Sequence, residues 1–176
     1  MAHLCHLAEL APRDVAEAGL CIGCGGCAAG KTMGWDTYGQ RKPQGAWTAE
    51  PFDGFNRICP FSPDARDEDM IAAERFPAAP RATPLLGRHE STWVGHVAEG
   101  AWRESGSSGG MVSWVAAELL RTGAVDAVAH VAPVAAPRED KRYFAYRLSR
   151  DVESLLTGAK SRYYPVELTA VLREIR

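Results

Sequence analysis

The sequence predicts an α/β (α+β) protein in which a small, irregular amino-terminal region is followed by a mixed α/β domain. Three observations predict it. Residues 1–76 are rich in glycine, tryptophan, proline and charge and hold few periodic apolar stretches. Residues 77–86 form a proline-rich linker: the run Phe76-Pro77-Ala78-Ala79-Pro80-Arg81-Ala82-Thr83-Pro84 resists both helix and sheet interior. From 87 to 176, apolar residues recur at helical and strand periods.

Each element has its own signal. Asp64 to Glu74 predicts one short helix, and Ser91 to Ala98 alternates loosely, as a strand does. Met111, Val112, Val115, Ala116, Leu119 and Leu120 follow helical spacing, which predicts a helix with one buried face, stopped at Gly123. The β-branched run Ala124 to Val131 predicts a strand, and Arg142 to Leu148 another. Asp151 to Leu156 reads as a helix closed by Gly158, and Ala170 to Arg176 as part of a helix with no stop signal.

Length and charge set the limits. The 176 residues are 46% hydrophobic with a formal net charge of −2, enough for one sizeable domain or two small ones. That balance gives no basic surplus to drive nucleic-acid binding. No apolar run approaches the roughly 18 residues of a membrane span, and the start lacks the layout of a secretory signal. The expected setting is therefore cytoplasmic and reducing, which suits thiolate ligands better than disulfides.

The cysteines carry the clearest chemistry. Cys21-Ile22-Gly23-Cys24-Gly25-Gly26-Cys27 places three thiols at two-residue gaps, and Cys59-Pro60 supplies a fourth at a distance. Glycines let such a turn curl so that successive sulfurs face inward, the pattern of a 4Fe–4S cluster site. Disulfides three residues apart are geometrically poor. A zinc site is the rival, although four-thiolate zinc usually draws on two separated Cys-x-x-Cys pairs. Cys5, beside His3 and His6, is a candidate further metal ligand, although a frayed terminus is the preferred reading.

Gly25 to Thr32 also matches the nucleotide-binding P-loop pattern. Its flanks argue against that role, because Ala16 to Leu20 makes a poor strand and Gly34, Gly39 and Pro43 would break a following helix. Lys31 then either offsets cluster charge or is solvated.

Two further segments suit a ligand. Ser105-Gly106-Ser107-Ser108-Gly109-Gly110 opens the apolar helix, where free N–H groups and hydroxyls converge on a phosphate or a flavin ring; Ser107 or Ser108 would equally serve as an ordinary N-cap. Gly158-Ala159-Lys160-Ser161-Arg162-Tyr163-Tyr164-Pro165 joins cations, a hydroxyl and aromatics in one turn, as a phosphate or stacked ring requires and as a surface turn also permits.

Taken in order, the cysteine loop with Cys59-Pro60, Arg103 ahead of Ser107-Ser108-Gly109-Gly110, Gly123-Ala124-Val125-Asp126-Ala127-Val128 and Gly158-Ala159-Lys160-Ser161-Arg162-Tyr163 resemble the coenzyme F-420 hydrogenase/dehydrogenase beta subunit family, from about Leu20 onward. The resemblance implies an iron–sulfur flavoprotein oxidoreductase, with Cys21, Cys24, Cys27 and Cys59 on a 4Fe–4S cluster. It implies FAD near Arg103, Ser107, Ser108, Gly109, Gly110, Lys160, Ser161, Arg162 and Tyr163. Implied partners are an electron donor such as ferredoxin or a dehydrogenase or hydrogenase subunit, and a small deazaflavin or tetrapyrrole-like acceptor. No catalytic acid or base is nominated. Such relatives continue into a further α/β segment, so residues 87–176 are expected to be a partial flavin-associated domain with an unpaired sheet edge and an uncovered apolar face. A non-catalytic electron-carrier or docking module is the alternative function, and a zinc-stabilised interaction domain a weaker one.

Overall fold

The computed structural model describes residues 10–137 and 141–175. Cys5, His3 and His6 lie outside them. The described residues combine short helices with three two-stranded antiparallel sheets, which is the mixed class the sequence predicts.

The first part is built from turns. Helix α1 (Pro12–Glu17) begins with proline, whose fixed φ suits a first helical position, and the Asp14 carboxylate accepts from the Ala11 amide at 2.8 Å. A single 3-10 turn spans Gly26–Ala28. Strands β1 (Met33–Trp35) and β2 (Arg41–Pro43) pair around an Asp36 turn, whose carboxylate accepts from the amides of Tyr38 and Gln40 at 2.9 and 2.8 Å. Helix α2 (Phe55–Ile58) is one turn long and delivers Cys59 at its end. Helix α3 (Glu68–Arg75) starts later than expected, because Asp67 caps it by accepting from the Met70 amide at 2.7 Å.

Two expectations fail in the middle of the chain. The linker contains a hairpin, β3 (Arg81–Thr83) with β4 (Gly87–His89). Pro80 and Pro84 tolerate it because they flank the three-residue strand instead of interrupting its ladder. Conversely, Ser91 to Ala98 forms no regular secondary structure and pairs with no strand among the described residues. Its alternation is too weak to hold a partner, since Trp93 and Val94 are exposed and only Val97 is buried.

The second part is more regular. After α4 (Trp102–Ser105), helix α5 (Met111–Arg121) runs as its period predicts and stops where Gly123 adopts φ +68°. Its apolar face is not buried as expected. Ala117 is its only buried residue, and Val112 is 86% exposed, because among the described residues no layer covers that side. Strands β5 (Val128–Pro133) and β6 (Phe144–Ser149) pair antiparallel from Val128 opposite Ser149 to Pro133 opposite Phe144. Helix α6 (Val152–Leu156) follows, capped by Asp151, whose carboxylate accepts from the Ser154 amide at 2.7 Å. Helix α7 (Thr169–Ile175) packs against β6.

Residues far apart in sequence meet here. The Tyr164 hydroxyl donates to the Gly39 carbonyl, and the Leu168 amide donates to the Cys24 carbonyl at 2.7 Å. The largest fully buried side chain is Phe55, 1% exposed and edge-on to Phe52 at 5.5 Å between ring centroids. Phe55→Ala is expected to destabilise the chain by about 3 kcal/mol through the cavity it leaves, read as a lower midpoint in denaturant unfolding.

Candidate functional site

Cys21, Cys24, Cys27 and Cys59 line one pocket, walled by Pro12, Val15, Phe55, Ile58 and Phe61. Each is a free thiol, partly exposed. The reach is local for three of them, through the glycine turn, while α2 brings the fourth across. Burial pushes the Cys27 thiol up to about 12, and the charges of Cys24, Cys21 and Cys59 push in the same direction. Burial also raises Cys59, against the opposing pull of the Phe61 backbone N–H. Two thiols whose ionisation is disfavoured in an apolar pocket shared with two more are a donor set that gains from a cationic occupant.

Among the described residues, no group of three or more His, Cys, Asp or Glu side chains is arranged to hold a metal ion. Four thiolates about 2.3 Å from one zinc must close to about 3.8 Å of one another. A polynuclear cluster takes its thiolates on separate irons and needs them wider apart.

One cation reaches the cysteine turn and a second is its neighbour in β2, and sequence reasoning found neither. Lys42 donates to the Cys21 carbonyl, and Arg41 lies over the Trp35 ring at 5.3 Å. Lys31, the cation the sequence suggested, is exposed. The P-loop-like string resolves into the 3-10 turn and then β1, with helix α1 before it. It therefore lacks both the preceding strand and the following helix that phosphate binding needs.

A second site lies in the other part, a cleft of about 540 Å³, within the roughly 300–1,000 Å³ typical of ligand sites. The two motif segments close on it together: Ser107, Ser108, Gly109 and Gly110 on one side, Lys160, Ser161 and Arg162 on the other. The Ser161 amide donates to the Ser107 hydroxyl oxygen at 2.8 Å, across 54 positions of sequence. Neither serine caps α5. Gly110 takes the N-cap position at φ +77° and no side chain caps the helix, so the first N–H groups of α5 keep no side-chain partner from a cap.

The remaining predicted residues, Arg103 and Tyr163, do not line the cleft. Arg103 donates to the Ser108 carbonyl at 2.8 Å and so braces the loop from behind. Arg162 lies over the Phe144 ring at 5.1 Å and donates to the Lys160 carbonyl at 2.9 Å. Lys160 holds a left-handed backbone at φ +76°, unusual for a residue with a side chain. Tyr163 is 94% exposed and is not among the lining residues.

Among the described residues the cleft lining contains Lys160 and Arg162, serine hydroxyls and backbone N–H groups, but no carboxylate. That is the chemistry of an anion site with an apolar floor. His130 also lines it, unmarked by any motif. Its Nε2 meets the buried Ser149 hydroxyl at 2.7 Å, and it stands opposite Arg147 in the β ladder. Gly158 is required beside it, because a Cβ there would collide with the His130 ring and approach the Val131 carbonyl to 2.6 Å.

Burial, then the Arg147 charge, lowers the His130 pKa below its ordinary 6.5. The folded state thus binds fewer protons than the unfolded one. Its stability holds above about pH 6.5 and declines as pH falls from there through the folded value. Denaturant unfolding between pH 7.5 and 5 is expected to show that decline, and His130→Gln to flatten it. Gly158→Ala is expected to disrupt the cleft wall, seen as a loss of thermal stability.

Residues 92–173 match the family model described as Coenzyme F420 hydrogenase/dehydrogenase, beta subunit N-term. The match covers the cleft and both of its motif segments; Cys21, Cys24, Cys27 and Cys59 lie before it. No curated protein matches the chain. No helix among the described residues is long and apolar enough to cross a membrane.

Proposed function

We propose, from the match of residues 92–173 to the coenzyme F420 hydrogenase/dehydrogenase beta subunit model, that the chain is the electron-transferring part of an iron–sulfur flavoprotein oxidoreductase. Cys21, Cys24, Cys27 and Cys59 would hold a 4Fe–4S cluster, and the cleft would hold FAD. A cluster passes single electrons and a flavin collects two, so the pair exchanges one-electron for two-electron chemistry. The observation that carries the reading is the closure of the 107–110 loop and the 160–162 turn on one cleft whose charged lining, among the described residues, is cationic.

The chain's own residues have distinct tasks in this reading. The thiolates supply four soft donors, and Phe55, Ile58 and Phe61 keep water from them. Lys42 and Arg41 offset anionic charge beside the cysteine turn. In the cleft, Lys160, Arg162 and the first amides of α5 take a phosphate, while Val128, Val131 and Leu155 offer apolar surface to a ring. Arg103 fixes the loop that presents those amides. A dehydrogenase or hydrogenase subunit, or ferredoxin, would exchange electrons with it, and a small deazaflavin or tetrapyrrole-like molecule would be the organic acceptor.

Anaerobic purification with iron, sulfide, zinc and flavin analysis tests this directly. Iron with sulfide is expected in the native chain and absent from Cys24→Ala; colourless protein holding zinc would overturn the redox reading. Iron without any flavin affinity would leave the carrier module as the function. Arg162→Ala is expected to weaken FAD binding by on the order of tenfold, the loss of one charge-assisted hydrogen bond, measured by flavin fluorescence quenching.

A further inference from the structure

Glu167 is buried, 8% exposed, although a carboxylate withdrawn from water costs several kcal/mol unless paired. Arg41 Nε lies 3.5 Å from its Oε2, and Arg142 Nη1 lies 3.6 Å from its Oε1. Neither Oε2 nor Arg41 Nε has a hydrogen-bond partner among the described residues, so on that side the carboxylate is held by charge at slightly long range. Neither it nor either arginine lines the cleft or carries a motif.

Its neighbours show what the position is for. The Leu168 amide donates to the Cys24 carbonyl at 2.7 Å, in the middle of the cysteine turn. A Cβ on Gly25 would stand 2.8 Å from the Thr169 methyl and 3.6 Å from the Glu167 Cβ. Gly25 thus serves both its left-handed turn, φ +76°, and this close approach. Arg41 belongs to β2 beside Lys42, which donates to the Cys21 carbonyl. The segment 167–169 and the end of β2 therefore grip the same turn from two directions.

We propose that Glu167, locked by Arg41 and Arg142, is a positioning residue for the cysteine site: it seats the Leu168 amide on the Cys24 carbonyl and sets the charge facing a cluster on these thiolates. The seating stands by itself, and the charge effect rests on the cluster reading above. Hydrogen bonds and fixed charges around thiolate ligands tune a cluster's potential. A nearby negative charge disfavours an added electron. Removing it raises the potential, and removing Arg41 lowers it.

Two measurements on the full chain test both halves. Amide hydrogen exchange at Leu168 is expected to run roughly five- to tenfold faster in Glu167→Gln, with the Leu119 and Leu120 amides of α5 unchanged. An unchanged Leu168 rate, or equal acceleration throughout α5, overturns the seating whatever the metal content. After reconstitution with iron and sulfide, a reductive titration read by spin resonance is expected to give a more positive midpoint in Glu167→Gln and a more negative one in Arg41→Gln, at equal iron content. Glu167→Asp, which keeps the charge, is expected to stay near the native midpoint. Shifts of the same sign, or none, overturn the charge effect. A native chain that takes up neither iron nor sulfide sinks the cluster reading instead, and the exchange rates then decide the seating alone.

Discussion

Four thiols share one apolar pocket in which burial holds back the ionisation of Cys27 and Cys59, and the amino-terminal residues are arranged around that constraint. Desolvation, then the charges of its three companions, raises Cys27 far above an ordinary thiol. A region built for packing alone would fill the pocket with aliphatic side chains. Here Phe55 and its neighbours form only the walls, and the polar neighbours that reach the turn, Lys42 and the Leu168 amide, bind its carbonyl groups. The regular structure nearby stays short because its task is delivery: one helical turn sets Cys59, and a three-residue strand sets Arg41 and Lys42.

What was legible in the sequence was whatever has a local cause. The α5 period, the helix after Asp151, the β6 run and the cysteine turn each follow from neighbours within a few positions, whereas the β5 run, expected from Ala124, forms a ladder only from Val128. The meeting of Ser107 with Ser161 was suggested only by the similar chemistry of two separate segments. Residues acting at long range left no trace. Glu167 looks like any surface glutamate in the sequence, and His130 like one polar interruption in an apolar run. The unpaired Ser91 to Ala98 segment shows the converse: alternation marks a strand only where another strand is available. The linker hairpin shows that prolines exclude a ladder only when they lie inside it.

The cleft and the cysteine pocket differ in how they are made. The cleft depends on backbone geometry, with an uncapped helix start, a left-handed lysine and a glycine that leaves room for a histidine ring. The pocket depends on side-chain identity. Yet the stretch from Lys160 to Thr169 touches both, lining the cleft at one end and pressing on the cysteine turn at the other. Displacing either end therefore strains a short, continuous piece of chain, with little slack to absorb it.

The bond between Cys24 and Leu168 also dictates an order of events during synthesis. The cysteine turn is made early, but 144 positions separate it from the residue that completes its seat. At about 5–20 residues per second, the thiols wait on the order of ten seconds or more before that amide exists. Throughout that interval Cys24 is translated but unsupported, open to oxidants and to stray metal ions. The surroundings of the nascent chain, rather than its finished fold, then govern what the thiols meet first.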